Sequence, residues 1–320
     1  MSDFFVGIDL GGTKIYTALA DEEGEIIEKV KIPTEADKGE DVVLANIVNS
    51  VDQVLNEAGR RRMDVNALGL GSPGPIDTRN GILTEPPNLP FENIPLVEIL
   101  EERMGISVIL ENDATAAALG ELLFGAGQGV ENLIYVTVST GIGGGIVIDG
   151  DVYHGFNGGA GEVGHTVVEP GGRICGCGNR GCLEAMASGT AIGKMGRKAL
   201  RHGTSPLIEK MSGSDEKKVD ALLVAQAARK GDKKAEEIYN TAGFYLGVGL
   251  GNLINLFNPE MVLFGGGVSR DFDIFSERML SVARKIAMSS SFASVEVKPA
   301  ALSDEVGLLG AVALAVKSGT

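Results

Sequence analysis

The chain lacks any run of about 18 uncharged apolar residues, and no basic stretch precedes its first apolar segment, Phe4–Asp9. Neither a membrane span nor a secretory signal is expected. Positive charge is in deficit: 28 Lys and Arg stand against 43 Asp and Glu, a formal net charge of −15. Such a surface suits neither nucleic acid nor an anionic membrane. Cysteine is nearly absent, with 3 residues, all between positions 175 and 182. An odd, clustered set is no disulfide framework; it points to a metal site in a reducing compartment. The expectation is a soluble, cytoplasmic protein.

What is present is an ordinary globular composition, 44% hydrophobic and 22% charged, which excludes disorder. A length of 320 residues suggests two domains. Glycine, at 46 residues, is roughly twice its usual share. Strand and turn signals alternate at the start: Phe4–Asp9, Lys14–Ala20 and Ile26–Lys31 read as strands separated by Gly11–Gly12 and Asp21–Gly24. A helix is predicted from about Asp41 to Ala58, with Val43, Ile47, Val51 and Val54 on one face. Further strands are expected at Ala67–Leu70 and Val108–Glu111, and helices at Pro95–Met104 and Ala114–Phe124.

The opening grammar returns at Leu133–Val138, with a glycine-rich turn at Ser139–Gly145 and a strand at Ile146–Asp149. Ten glycines between 141 and 164 suggest loops that approach a ligand. Beyond the cysteines the pattern is helical, apart from a strand at Met261–Phe264 followed by Gly265–Gly267. The apolar stretch Val306–Val316 reads as a helix that folds back onto the first lobe. The economical architecture is a two-lobed α/β protein with its cleft between the lobes.

G-x-G-x-x-G occurs at Gly69–Gly74, Gly159–Gly164 and Gly176–Gly181, but none joins a strand to a helix in a βαβ unit. A dinucleotide fold is therefore rejected. A P-loop is absent too, since Gly189–Met195 has three spacers and ends on Met. Phosphate binding would fall to hairpin turns. Asp9-Leu-Gly-Gly-Thr-Lys14 sets Gly11, Gly12, the Thr13 hydroxyl and the Lys14 ammonium at one turn, an anion nest with an added charge. Asp9 is placed to hold Mg²⁺ through water. The competing reading is a hairpin whose Asp and Gly only satisfy turn geometry. A second turn, Ser139–Gly145 with Thr140, Gly141 and Gly143, would clamp the same triphosphate from the other lobe.

Cys175, Cys177 and Cys182 form C-x-C-x₄-C, and His165 can supply a fourth ligand. Three thiolates and an imidazole make a closed tetrahedron, the signature of structural Zn²⁺.

With these residues in view the sequence resembles the ROK family (repressors, open reading frames and kinases), and within it the bacterial ATP-dependent glucokinases. The resemblance rests on Asp9–Lys14, Glu111-Asn-Asp-Ala114, Gly161-Glu-Val-Gly-His165, Cys175-x-Cys-Gly-x-x-Gly-Cys-Leu-Glu184 and Gly265–Gly267, in order over nearly the whole chain. It implies the two-lobed ribonuclease-H-like fold of actin and hexokinase. The first, smaller lobe would comprise residues 1–115 plus about 303–320, and the second residues 116–302. It implies phosphorylation of the glucose 6-hydroxyl by Mg-ATP, with Asp113 as general base; the alternative for Asp113 is a helix N-cap. Gly74, Asn88, Asn112, Glu162, His165 and Glu184 would meet the sugar. For Glu184 a helix-dipole role, and for Asn88 a loop turn, are the competing readings. Thr13, Lys14, Thr140 and Gly141 would lie near phosphates, with Gly265 and Gly266 near the adenosine. Structural zinc would orient His165 toward the sugar. A homodimer is implied. Kinases for fructose, N-acetylmannosamine or N-acetylglucosamine, or a sugar sensor without activity, are the alternatives. Polyphosphate is an alternative donor. Sugar-responsive repressors of the family carry a DNA-binding segment ahead of the first strand, and this reading is disfavoured by Phe4 and the charge.

Overall fold

Strands of apolar residues and helices with one apolar stripe alternate along residues 3–319, which the computed structural model describes. The first stretch runs β1 (Phe5–Leu10), β2 (Lys14–Ala20), β3 (Ile26–Pro33), α1 (Glu40–Glu57), β4 (Ala67–Ser72), β5 (Ile76–Asp77) and β6 (Ile82–Leu83). There follow α2 (Leu96–Met104), β7 (Val108–Asn112), α3 (Asp113–Phe124), β8 (Leu133–Val138), β9 (Ile142–Ile148) and β10 (Asp151–Val152). The next helices are α4 (Leu183–Ala187), α5 (Gly189–Arg201), α6 (Pro206–Ser212), α7 (Ala221–Arg229) and α8 (Lys233–Phe257). The chain finishes with β11 (Met261–Gly265), α9 (Phe272–Ile286), α10 (Ser289–Ser294), β12 (Glu296–Pro299) and α11 (Val306–Ser318). Among the described residues no helix is long and apolar enough to cross a membrane.

Two five-stranded sheets carry the fold, in the orders β3-β2-β1-β4-β7 and β10-β9-β8-β11-β12. In the first, β1 pairs antiparallel with β2 and parallel with β4, and β4 pairs parallel with β7. Its central strands are buried on both faces, as a parallel sheet covered by helices demands. Helix α1 turns Val43, Ile47, Val51 and Val54 inward, all fully buried, as its periodicity predicts.

The chain divides into two units. Unit 1 comprises the chain up to Leu133, Gly145–Gly161 and the chain from Ala300; unit 2 comprises Ile134–Gly144 and Glu162–Pro299. The boundary expected near residue 115 falls inside α3. That helix stays with unit 1 because it packs closely on α11. A Cβ on Gly120 would lie 2.8 Å from the Cα of Gly310, so only glycines permit this approach of two helix backbones. Residues 145–161 join unit 1 for a similar reason: a Cβ on Gly145 would lie 2.6 Å from the Ala118 Cβ of α3.

Several glycines thus serve packing rather than ligands. In the middle of β4, a Cβ on Gly69 would run into the carbonyl oxygen of Ala311, so α11 lies directly on the sheet. The expected turn Ser139–Gly145 is correspondingly shorter. Strand β9 begins at Ile142, and Gly143 and Gly145 belong to it. In unit 2, β8 and β11 contribute Ile134, Val136, Val138, Val262 and Phe264 to a core shared with α5, α7, α8 and α9.

Candidate functional site

The strand register of unit 1 aligns Asp9 with Gly71, Gly71 with Glu111, and Ser72 with Asn112. The C-terminal ends of three parallel strands therefore share one edge, the usual ligand position in α/β sheets. Asp9 points its carboxylate at the first turn of α11, where a Cβ on Gly307 would lie 2.9 Å from Oδ2. Burial pushes the Asp9 pKa up, and the Lys14 charge opposes this.

The turn after β1 is fixed by backbone. The Gly11 N–H donates to the Lys14 carbonyl at 3.0 Å, and the Thr34 hydroxyl donates to the Gly11 carbonyl at 2.6 Å. Thr13 and Lys14 are left exposed. Asn88, held at φ 66°, lies against Gly12, whose Cβ would sit 2.7 Å from the Asn88 Cβ. Asn88 is thus a positive-φ loop residue that also borders the Gly11–Thr13 turn.

At the β7–α3 junction the helix cap is Asn112. Its Oδ1 accepts the N–H groups of Ala114 at 3.0 Å and Thr115 at 3.3 Å. Asp113 is the first helical residue, exposed, with Oδ1 accepting the Ala114 N–H at 2.7 Å. The N-cap reading of Asp113 is corrected accordingly: the cap is Asn112, one residue earlier. Gly74, before a cis peptide to Pro75, lies beside the same cap, 3.5 Å from the Asn112 Nδ2 at its Cβ position.

One contact escapes the sequence patterns. Glu111 is buried, 5% exposed, and its Oε1 accepts the Asn112 N–H at 2.7 Å. The Glu111 Oε2 meets His154 Nε2 at 2.6 Å. The Glu111 hydrogen bond raises the His154 pKa, against partial burial. The two lie 43 positions apart, so no spacing signals the pair. A cavity of about 640 Å³ opens on it.

In unit 2, Thr140 and Gly141 form the tip between β8 and β9, where the Ser139 N–H donates to the Gly141 carbonyl at 2.9 Å. Glu184, in the short helix α4, grips this tip: its Oε2 accepts the Ile142 N–H at 3.1 Å. A Cβ on Gly141 would collide with that carboxylate. A cavity of about 490 Å³ is lined by Thr140, Gly141, Glu184, Thr190, Lys194 and Arg173. Lys194 and Arg173, which the motifs do not single out, bring positive charge beside the N-terminal turn of α5. That combination suits an anion. Gly265 ends β11 beside β8, and Gly266 follows it. Gly266, at φ 86°, would place a Cβ 2.6 Å from the Val138 carbonyl, so packing alone requires glycine there.

The ligand atoms of His165, Cys175, Cys177 and Cys182 all lie within 4.8 Å of one another. The Cys177 and Cys182 sulfurs are 3.7 Å apart, and Cys175 Sγ is 3.7 Å from His165 Nδ1. Tetrahedral zinc with Zn–S bonds of about 2.3 Å requires sulfur separations of about 3.8 Å, so the donor set fits. Burial pushes the Cys182 thiol up to about 12 and the Cys175 thiol upward, while the Asn179 N–H lowers Cys177. A dication would overcome the first two by ligating thiolate. His165 turns its other nitrogen, Nε2, toward Glu162 Oε2 at 3.9 Å. Cys175 Sγ also stands 3.6 Å from Glu184 Oε1, linking this loop to the β8–β9 tip.

The family model described as "ROK family" matches residues 5–318. A glucokinase of Thermotoga maritima is 40% identical over 310 residues, 97% of this chain and 96% of that protein. The ROK hexokinase from Thermus thermophilus superposes with a TM-score of 0.84 at 39% identity, over 99% of each chain. A ROK family glucokinase from Streptomyces griseus, solved with glucose and AMPPNP, gives 0.82 at 32% identity, over 98% of this chain and 99% of that one.

Proposed function

The chain belongs to the ROK family, and from that premise we propose that it is a hexose kinase. Its reaction is transfer of the γ-phosphoryl group of Mg-ATP to the 6-hydroxyl of glucose. The observation that carries the mechanism is Asp113: an exposed carboxylate at a parallel-strand edge, on a helix that another residue caps. Such a group is not the helix cap, and its carboxylate suits a substrate hydroxyl. Asp113 takes the hydroxyl proton as the sugar oxygen bonds to the γ-phosphorus. The bond from that phosphorus to the bridging oxygen breaks, and ADP leaves with the electron pair.

Phosphoryl transfer asks the protein for position and charge neutralisation more than covalent chemistry. Gly11, Gly12, Thr13 and Lys14 offer N–H groups, a hydroxyl and an ammonium to phosphate oxygens. Thr140 and Gly141 offer a hydroxyl and backbone to phosphate oxygens, supported by Lys194 and Arg173. Gly143 lies in the strand behind that tip, and Gly265 and Gly266 present backbone without side chains to the adenosine. Asp9 is the carboxylate for the Mg²⁺ that accompanies ATP.

The sugar has adjacent hydroxyls that both donate and accept, which Asn88, Asn112, Glu162 and Glu184 match, with the Gly74 backbone beside them. Glu184 can serve the Ile142 N–H and a sugar hydroxyl together, because a carboxylate has about four acceptor positions. Zinc held by His165 Nδ1, Cys175, Cys177 and Cys182 supplies a structural anchor. His165 then keeps its proton on Nε2 and donates it to a sugar oxygen. We also read the assembly as a homodimer, which light scattering tests.

The deciding experiment is ADP release from Mg-ATP with glucose, mannose, fructose, N-acetylglucosamine or N-acetylmannosamine, and with no sugar. Turnover that depends on glucose supports the reading. A larger kcat/KM for another sugar changes the substrate, and no sugar-dependent turnover refutes the kinase.

A further inference from the structure

Asp113 is held by a short chain of hydrogen bonds that ends at a titratable ring. His154 Nε2 meets Glu111 Oε2 at 2.6 Å, Glu111 Oε1 accepts the Asn112 N–H at 2.7 Å, and Asn112 Oδ1 caps α3 by accepting the Ala114 and Thr115 N–H groups of its first turn. We propose that His154 is a positioning residue for the phosphoryl transfer: through Glu111 it braces the β7–α3 junction that presents Asp113, and it does so best as an imidazolium. The inference rests on the reading of Asp113 as the base.

Three observations lead there. First, a carboxylate as buried as Glu111 needs partners, and those it has are one backbone N–H of the junction and one ring nitrogen of His154. Loss of the ring partner leaves Glu111 free to turn, and its grip on the Asn112 N–H loosens. Second, the His154 side chain is 42% exposed and borders a cavity of about 640 Å³, so its proton exchanges with solvent while the carboxylate it holds stays buried. Third, the surrounding charges favour the cation. Glu111 faces it from β7. Arg79, in the turn between β5 and β6, opposes with its guanidinium 5.8 Å from the Phe156 ring. Asp151 on β10 and Lys317 on α11 pair with each other at 2.8 Å. Tyr153 is the remaining titratable neighbour. The balance raises the His154 pKa, with Glu111 the largest contributor.

His154 also shapes the segment ahead of Glu162, since its carbonyl accepts the Ala160 N–H at 3.2 Å. That contact is backbone and survives substitution. A change at the ring therefore reports on Glu111 rather than on the loop.

The test compares wild type, H154Q, H154F, E111Q and D113N in kcat and in KM for glucose and ATP, from about pH 6 to 9. The expected result is a wild-type kcat that declines on the alkaline side, as His154 loses its proton. H154Q, which keeps a neutral N–H donor, should show kcat lowered about tenfold, since a base displaced by a fraction of an ångström loses rate steeply. Its alkaline decline should be gone and its KM for ATP unchanged. Combining H154Q with E111Q should lower kcat no further than E111Q alone. Should H154F fold poorly, H154Q still decides the matter. An H154Q profile that overlays wild type in height and shape overturns the inference, and so does an alkaline decline that persists in H154Q. D113N separates the two readings. Its inactivity beside an H154Q enzyme like wild type sinks only the brace, whereas full activity of D113N sinks the base.

Discussion

Asp113→Asn removes a charge and a proton acceptor while leaving the side-chain shape almost unchanged. Helix α3 should scarcely notice, because its cap is the Asn112 Oδ1, with N–H groups arriving from 3.0 and 3.3 Å. What stability loses is a carboxylate at a helix N-terminus, about 0.3–1 kcal/mol. The rate should lose far more. A general base contributes about 10²–10⁴ to kcat, which corresponds to about 2.7–5.4 kcal/mol of transition-state stabilisation. The two effects are read separately. Initial rates come from coupling glucose 6-phosphate formation to NADP reduction, and stability comes from urea denaturation of the same preparation. The KM for glucose should move little, since an Asn amide still hydrogen-bonds a hydroxyl. A D113N enzyme within about threefold of the wild-type kcat refutes the reasoning. So does a variant destabilised by several kcal/mol, because the carboxylate would then be structural.

Three other outcomes follow from the geometry. Elemental analysis should find one zinc per chain, and a strong chelator should strip it, lower Tm and raise the KM for glucose more than that for ATP; metal-free protein with unchanged melting would exclude the site. Gly69→Ala drives a Cβ into the Ala311 carbonyl and should cost on the order of 1–3 kcal/mol, or roughly 2–4 °C of Tm per kcal/mol. An unshifted melting curve would mean that α11 does not lie on β4 as described. The His154 pKa is raised in the folded protein by Glu111. The stability it contributes is therefore fully present below about pH 6.5 and is lost as pH rises through the higher folded value. The Tm difference between wild type and H154Q should accordingly be largest near about pH 6 and shrink toward about pH 9, and a difference that grows with pH reverses the assignment.

Much of this was legible from local pattern. Val43, Ile47, Val51 and Val54 declare the buried face of α1, and C-x-C-x₄-C with His165 declares a tetrahedral donor set, because both follow from short-range spacing. Glycine misleads where its reason lies elsewhere in the chain. Gly143 and Gly145 read as a turn, yet they sit in β9, where Gly145 makes room for Ala118. Strand β12, Glu296–Pro299, is too polar to announce itself; its partner β11 supplies the buried face beside it. The cap at Asn112 rather than Asp113 turns on a one-residue choice between two good capping side chains. Glu111 and His154 carry no spacing signal at all. Their pairing depends on a hairpin returning to the edge of β7, which only the folded chain reveals.

The packing of α11 on β4 also sets an order of events during synthesis. Gly69 leaves the ribosome well before the helix that covers it, Val306–Ser318, which lies far downstream. Translation proceeds at about 5–20 residues per second, so one face of the first sheet waits many seconds without its cover. Everything unit 2 needs, through Pro299, is already available by then. Unit 1, which begins ahead of unit 2, is therefore completed after it, and until α11 arrives its sheet presents a bare apolar face. A truncation that removes α11 would leave that face open permanently, making it a natural handle for chaperones and proteases that survey unfinished chains.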